Sequence, residues 1–347
     1  MALDRSCREP FVQFGKRDPV CPVCGAKSAC HALGRCMIEV LNAGLQTTIQ
    51  AGVREGHRHF GVPGSGPADL LSMSLANRLV GADATQPVFE MTLTGASFRF
   101  HSAMIVSVTG AEAGVSLNGV EAPMHASILV SAGDELEVAP ARHGCRSYLA
   151  ISGRLNVSEF LGSRSTYLPG GFGGHEGRAL KAGDRIEVSD VRSVDEVETP
   201  RELRPLFNDN VLLQSCPSSE FEFLNEDAQT ILFEEGLKAT TRSSRMGVEL
   251  SGDRAVSCNA PEKQSSPVFP GSVQCPPEGK PFILLADAQT TGGYPHILQV
   301  IRSDRFQLGQ IKPGARVRFV LRTPDEAADR LRARWEAYSD WLSSPVI

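Results

Sequence analysis

MIVSVTGAEAGVSLNG, residues 104–119, decides how the chain is read. Two short runs rich in β-branched residues, Met104 to Thr109 and Val115 to Leu117, are separated and closed by glycines and an asparagine. That is the punctuation of strands joined by tight turns. The pattern extends outward in both directions, with IEVL, LQTTIQ, VFEMTLT and SFRF before it and ILVSAG, ELEVAP and SYLAISG after it. An aromatic content of 6% beside 33 glycines and 22 prolines suits many strands and turns better than long helices. The chain therefore reads as mainly β, a sandwich or barrel.

Three segments strengthen this reading: SAGDELEV around Gly133, KAGDRIEV around Gly183 and KPGARVRF around Gly314 each place a glycine turn ahead of a strand. One helix interrupts the strands. In SGPADLLSMSLANRLVGAD, Leu71, Leu75 and Leu79 recur every four residues, with Asp69 placed as N-cap and Gly81 at the end. VRSVDEVETPRELRPLFN is charged, proline-containing and without period, and marks a linker over 191–208. A first β domain is thus predicted over 37–190 and a second over 209–322, the latter with VLLQS, RMGVELSG, PFILLAD, HILQVI and RVRFVL as strands and a short helix in SSEFEFLNED. The tail over 323–347 reads as an amphipathic helix, with Leu331, Trp335, Tyr338 and Leu342 on or near one face.

A length of 347 residues accommodates two domains of ordinary size. The net charge of -5, with no block of Lys or Arg, excludes the basic footprint of a nucleic-acid binder. No apolar run approaches the roughly 18 residues a membrane helix needs, and no secretory signal pattern is visible, so a cytoplasmic setting is expected. Residues 1–36 form a Cys-rich extension. There Cys21 and Cys24 have the CxxC spacing and Cys30 and Cys36 follow, enough soft ligands for a tetrahedral zinc site. The later cysteines make no second CxxC, and the competing reading is a poorly ordered extension ahead of Met37. Cys145, Cys216, Cys258 and Cys275 read as buried small apolar side chains.

Three polar clusters carry the chemistry. In TTIQAGVREGHRHFGVPGSGPAD, Arg54 is suited to a two-pronged grip on a carboxylate, while Ser65 and Asp69 fit either a ligand or a helix cap. In LGSRSTYLPGGFGGHEGR, Arg164, Ser165 and Thr166 sit in a glycine-rich loop able to cradle an anion. The third comprises SSRMGVEL and PGSVQCPPEGKPFILLADAQTTGGYPHI, where Arg245, Gln274, Asp287, Gln289, Thr290 and Tyr294 suit recognition of an amide or ureido group. The chain has no Walker loop, G-x-S-x-G, HExxH or G-x-G-x-x-G element.

Taken in order, LQTTIQ, GVPGSGPADLLSMSLANRLVG, EMTLTG, LNG, YLAISG, LGSRST, GRALKAGD, RMG and PGSVQCPPEGKPFILLADAQTTGGYP resemble the carboxyltransferase subunit family. That family includes the C subunit of 5-oxoprolinase, allophanate hydrolase subunit 2 and the carboxyltransferase part of urea carboxylase, and the likeness runs from about Met37 to about Phe319. The resemblance implies two cyclophilin-like β-barrel domains with a few short helices. It further implies a non-autonomous C subunit of an ATP-dependent 5-oxoprolinase, acting with A and B subunits, with ATP at a composite site and no covalent biotin on this chain. The alternatives are a biotin-dependent carboxyltransferase subunit acting on urea or a related amide, and a non-catalytic regulatory binder. Carried onto this sequence, the pattern makes Asp69, Asp287 and Tyr294 the catalytic candidates. Arg54, Ser65, Asn77, Glu90, Arg164, Ser165, Thr166, Arg245, Gln274, Thr290, Gly292 and Gly293 become the substrate-binding ones. One departure stands out: TIQAGVREG places Ala51 where the family pattern has an acid and Val53 where it has a glycine.

Overall fold

The computed structural model describes residues 36–342. In the first half, two sheets face each other. One has seven strands, ordered Arg154–Leu155, Arg185–Ser189, Met37–Asn42, Ser97–Phe100, Glu135–Val138, Val115–Leu117 and Val120–Ala122. The other has five, ordered Gln46–Gln50, Val88–Thr92, His143–Ile151, Met104–Glu112 and Ser127–Val130. Ile38, Val40, Phe98 and Phe100 from one sheet and Ile49, Phe89, Val106 and Leu149 from the other build the shared core. The second half closes into a barrel of seven strands, sealed where Asn210–Pro217 runs parallel to Arg316–Leu321 from Asn210 opposite Arg316 to Ser215 opposite Leu321. Leu213, Leu250, Val273, Ile283 and Phe319 fill it.

The three echoing glycines make one construction three times. Gly133, Gly183 and Gly314 have φ of +95°, +89° and +88°, where a side chain is strained. Each amide reaches back to a strand carbonyl, on Phe100, Val40 and Ala239 respectively, before the chain enters the next strand.

The predicted helix is present as Leu70–Leu79, capped by Asp69, whose side chain accepts from the Ser72 amide, and followed by Gly81 at φ +64°. It is buried nearly all round rather than along a stripe. Met73, Ala76 and Val80 pack on the outer face of the five-stranded sheet, and Leu71 and Leu75 meet Tyr338 and Leu342 of the terminal helix Pro324–Leu342. This explains why Met104–Glu112 lacks alternation: its polar Ser107 and Thr109 are buried too, donating to the helix carbonyls of Ala76 and Ser72 at 2.8 and 2.7 Å. In the terminal helix Leu331 and Trp335 are only half-buried. The helix expected in SSEFEFLNED starts later, because Asn225 is the residue that caps it: Glu226–Thr230 is helical and runs on through Ile231–Glu235. Among the four scattered cysteines, Cys145 and Cys275 are buried but Cys216 and Cys258 are only partly so. Cys36 packs against the first core, while Cys21, Cys24 and Cys30 lie outside the described residues. No helix among the described residues is long and apolar enough to cross a membrane.

Candidate functional site

The loop leading into the helix Leu70–Leu79, Gly64 to Asp69, is held by three buried groups. The Ala68 amide donates to Glu90 Oε2 at 2.9 Å and the Asp69 amide to Tyr148 Oη at 2.8 Å. From the second half, Arg245 Nη2 donates to the Gly66 carbonyl at 2.5 Å. Arg245 also donates through Nε to Asp287 Oδ2 at 2.8 Å, and its Nη1 is bonded to Glu90 Oε1. One guanidinium thus ties two carboxylates and a backbone carbonyl across the junction of the halves. Gln310 makes a second tie, donating to Asp69 Oδ2 at 2.8 Å and accepting from the Cys145 and Arg146 amides.

Burial and charge compete at each member of this network. Burial opposes the ionised form of Glu90, but the charges of Arg245 and Arg146 outweigh it and hold the carboxyl below its ordinary pKa. For Arg245 burial is likewise overcome by Asp287 and Glu90, and the pKa rises. Asp69 has no facing cation; burial raises it to about 6 against the hydrogen bonds from Ser72 and Gln310.

Beside this network, between the halves, lies a cavity of about 480 Å³. From the first half it is lined by Val53, Arg54, Arg58, Ser65 and Leu71, and from the second by Phe269, Leu285, Arg302, Arg305 and Phe306. Four arginines line it against one acid, the exposed Glu55. Arg54 is 1% exposed. Its Nε and Nη2 donate to the Phe160 and Ser165 carbonyls at 2.9 and 3.0 Å, and the Phe172 ring lies 4.9 Å from the guanidinium carbon. Its Nη1 has no partner, nor has Ser65 Oγ or Arg305 Nε, though all three atoms are buried. Arg58 is committed elsewhere, bonded to the Val268 carbonyl and stacked 5.1 Å over Phe269.

The structure divides the residues singled out from the sequence. Arg54 and Ser65 line the cavity. Asp69 and Asp287, expected as catalytic, are 0% and 1% exposed, and their oxygens are taken by Ser72 and Gln310 and by Arg245. With Glu90 and Arg245 they tie the loop before the helix to the junction of the halves. Tyr294, the third catalytic candidate, is 48% exposed and stands outside the cavity lining. Asn77 is outside the cavity lining: its amide donates to the Ala84 and Gln86 carbonyls and pins the loop after the helix. Ser165 and Thr166 fasten their loop to the end of the strand Gln46–Gln50, Ser165 Oγ engaging both the amide and the carbonyl of Ala51 at 2.9 Å, and Thr166 Oγ1 donating to the Ile49 carbonyl at 2.9 Å. Arg164 pairs at the surface with Glu159 at 2.8 Å. Gln274 accepts from Gln289 at 3.3 Å, and the Thr290 carbonyl accepts from the Val268 amide. Gly292 pairs with Ser266 in a two-stranded ribbon, and a side chain there would meet Gln274 Nε2 at 2.4 Å. Gly293 is exposed beside it.

Sequence reasoning missed Arg58, Arg302 and Arg305, as well as Arg146, Tyr148 and Gln310. Arg302 and Arg305 stand three apart on one helical turn, Arg302–Asp304 leading into Arg305–Leu308. That spacing places both on one face and was the available signal.

Fold and site define a protein of paired β units with an arginine-lined cavity shared between them. Residues 60–321 match the family described as "Carboxyltransferase domain, subdomain A and B", and the chain belongs to that family. It is 34% identical over 298 residues to the C subunit of 5-oxoprolinase from Escherichia coli K12, covering 86% of this chain and 94% of the relative. The Haemophilus influenzae protein of the same name is likewise 34% identical, over 88% of this chain and 97% of its own length. The crystal structure of Kluyveromyces lactis urea amidolyase superposes with a TM-score of 0.84 at 27% identity, over 92% of this chain but only 20% of that far longer one.

Proposed function

We propose that the chain is the C subunit of an ATP-dependent 5-oxoprolinase, acting with A and B subunits to open 5-oxo-L-proline to L-glutamate. The observation that carries this reading is the near end-to-end match to two proteins named as 5-oxoprolinase C subunits, 94% and 97% of their lengths. The cavity is consistent with it: about 480 Å³ at the junction of two halves holds a small ring compound. Opening a lactam requires a poorly electrophilic amide carbonyl to be activated, and ATP, bound at a site shared with the partner subunits, supplies the phosphoryl group that does so. Water then adds to the carbonyl carbon, the ring C–N bond breaks with the nitrogen protonated to the amine, and a second water releases inorganic phosphate from the resulting acyl phosphate, so that the lactam, ATP and two waters give glutamate, ADP and phosphate. This chain's residues orient the lactam and hold developing negative charge. Arg54, fixed by the Phe160 and Ser165 carbonyls, is the pre-organised group for that work.

The test is ATP hydrolysis stimulated by 5-oxoproline, assayed with this chain, its A and B partners, and every combination. Stimulation only in the full mixture is the expected result; equal stimulation without this chain overturns the reading. A second reading, a carboxyltransferase acting on urea or a related amide with a biotin-bearing partner, is favoured by the likeness to the urea amidolyase structure. It predicts urea-dependent carboxyl transfer and no response to 5-oxoproline.

A further inference from the structure

We infer that the cavity between the halves is an anion site, which takes a carboxylate or phosphoryl group of its small ligand on Arg54 Nη1 and Ser65 Oγ, with Arg305 in the part of the lining that the second half contributes. This deepens the proposed function by assigning the charged end of the ligand, and rests on that reading only for the ligand's identity.

Two independent observations carry it. The first is incomplete hydrogen bonding where completeness is the rule: buried polar atoms are nearly always paired, yet Arg54 Nη1, Ser65 Oγ and Arg305 Nε are buried and unpaired. Arg54 and Ser65 are 1% and 4% exposed, and all three residues line the same cavity. The second is the backbone. Ser65 sits at φ +52°, an uncommon conformation for a residue other than glycine. Gly66 beside it is gripped by Arg245, and Ala68 and Asp69 by Glu90 and Tyr148. A loop fastened at three points to a charge network holds its strained serine at the cavity wall before any ligand arrives. The charge balance selects the ligand's sign. Burial, and for Arg305 the neighbouring Arg302, make Arg54 and Arg305 weaker acceptors of a proton than ordinary arginines, and an anion between them relieves that penalty.

The experiment is calorimetric titration of the full chain, alone and with its partner subunits, using three probes: 5-oxoproline, its neutral analogue 2-pyrrolidinone, and inorganic phosphate. The expected result is binding of 5-oxoproline or phosphate that weakens as salt is raised, with 2-pyrrolidinone at least tenfold weaker. Which anion binds assigns the site to the carboxylate or to the phosphoryl group. Ser65→Gly keeps the backbone comfortable at positive φ and removes the small hydroxymethyl group, and Arg305→Gln keeps a polar wall without charge; each is expected to weaken the anion roughly tenfold with unchanged melting. Equal binding of neutral and anionic probes, insensitivity to both substitutions, or no binding of any probe overturns the inference. Anion binding without 5-oxoproline-stimulated ATP hydrolysis in the full mixture leaves this site standing and removes the proposed reaction.

Discussion

At the scale of single residues, the charge network turns substitutions expected to touch chemistry into tests of stability. Asp287→Ala strips Arg245 of its bidentate partner in a fully buried place, and removing one member of a buried pair costs about 3–5 kcal/mol. Urea denaturation should show that loss, whereas Tyr294→Ala, on the surface, should shift stability by no more than about 0.5 kcal/mol. Asp69 adds a pH signature. Its folded-state value of about 6 lies above the ordinary 3.8, so the folded chain binds this proton more tightly than the unfolded one. The contribution is present below pH 4 and is lost as pH rises through 6. Relative to Asp69→Asn, which keeps a capping oxygen, the wild type should gain up to about 3 kcal/mol between pH 7 and pH 4. The sequence singled out Arg54, Asp69, Arg245 and Asp287 as members of polar clusters, and Glu90, which lies in the strand Val88–Thr92, through the family resemblance alone. It could not show which of them face one another: Glu90 and Arg245 are 155 residues apart, and no local pattern reports such a pairing.

Elements were the most legible level. Turn chemistry and β-branched runs located most strands, and the Leu71, Leu75, Leu79 spacing located the helix. Less visible was that this helix serves two masters, the five-stranded sheet and the terminal helix, because a fully buried helix loses the one-sided pattern that periodicity detects. Tyr338 joins the two helices, packing with Leu71 and Leu75 and donating to the Leu203 carbonyl at 3.0 Å. Tyr338→Ala should therefore cost about 3 kcal/mol by cavity formation, read by thermal unfolding. It should also weaken anion binding at the neighbouring cavity, since Leu71 belongs to both surfaces.

For the whole molecule, the junction sets cooperativity. Gly309 lies so close to the other half that a side chain there would come within 2.4 Å of the Ala68 carbonyl oxygen and 2.9 Å of the Asp69 amide. Gly309→Ala should destabilise by about 1–3 kcal/mol and, by prising the halves apart, broaden or split a calorimetric transition that is single in the wild type. The barrel seam carries a different consequence. Its first strand, Asn210–Pro217, is completed only by the parallel Arg316–Leu321, so while the ribosome is still building the chain the second barrel stays an open sheet for about a hundred residues of synthesis. The helix Leu70–Leu79 waits still longer for its cover, until Tyr338 and Leu342 emerge. Nascent chains stalled before residue 321 should present unpaired strand edges to chaperones, and synthesis of Arg316–Leu321 and then of the helix Pro324–Leu342 is the event that closes the fold.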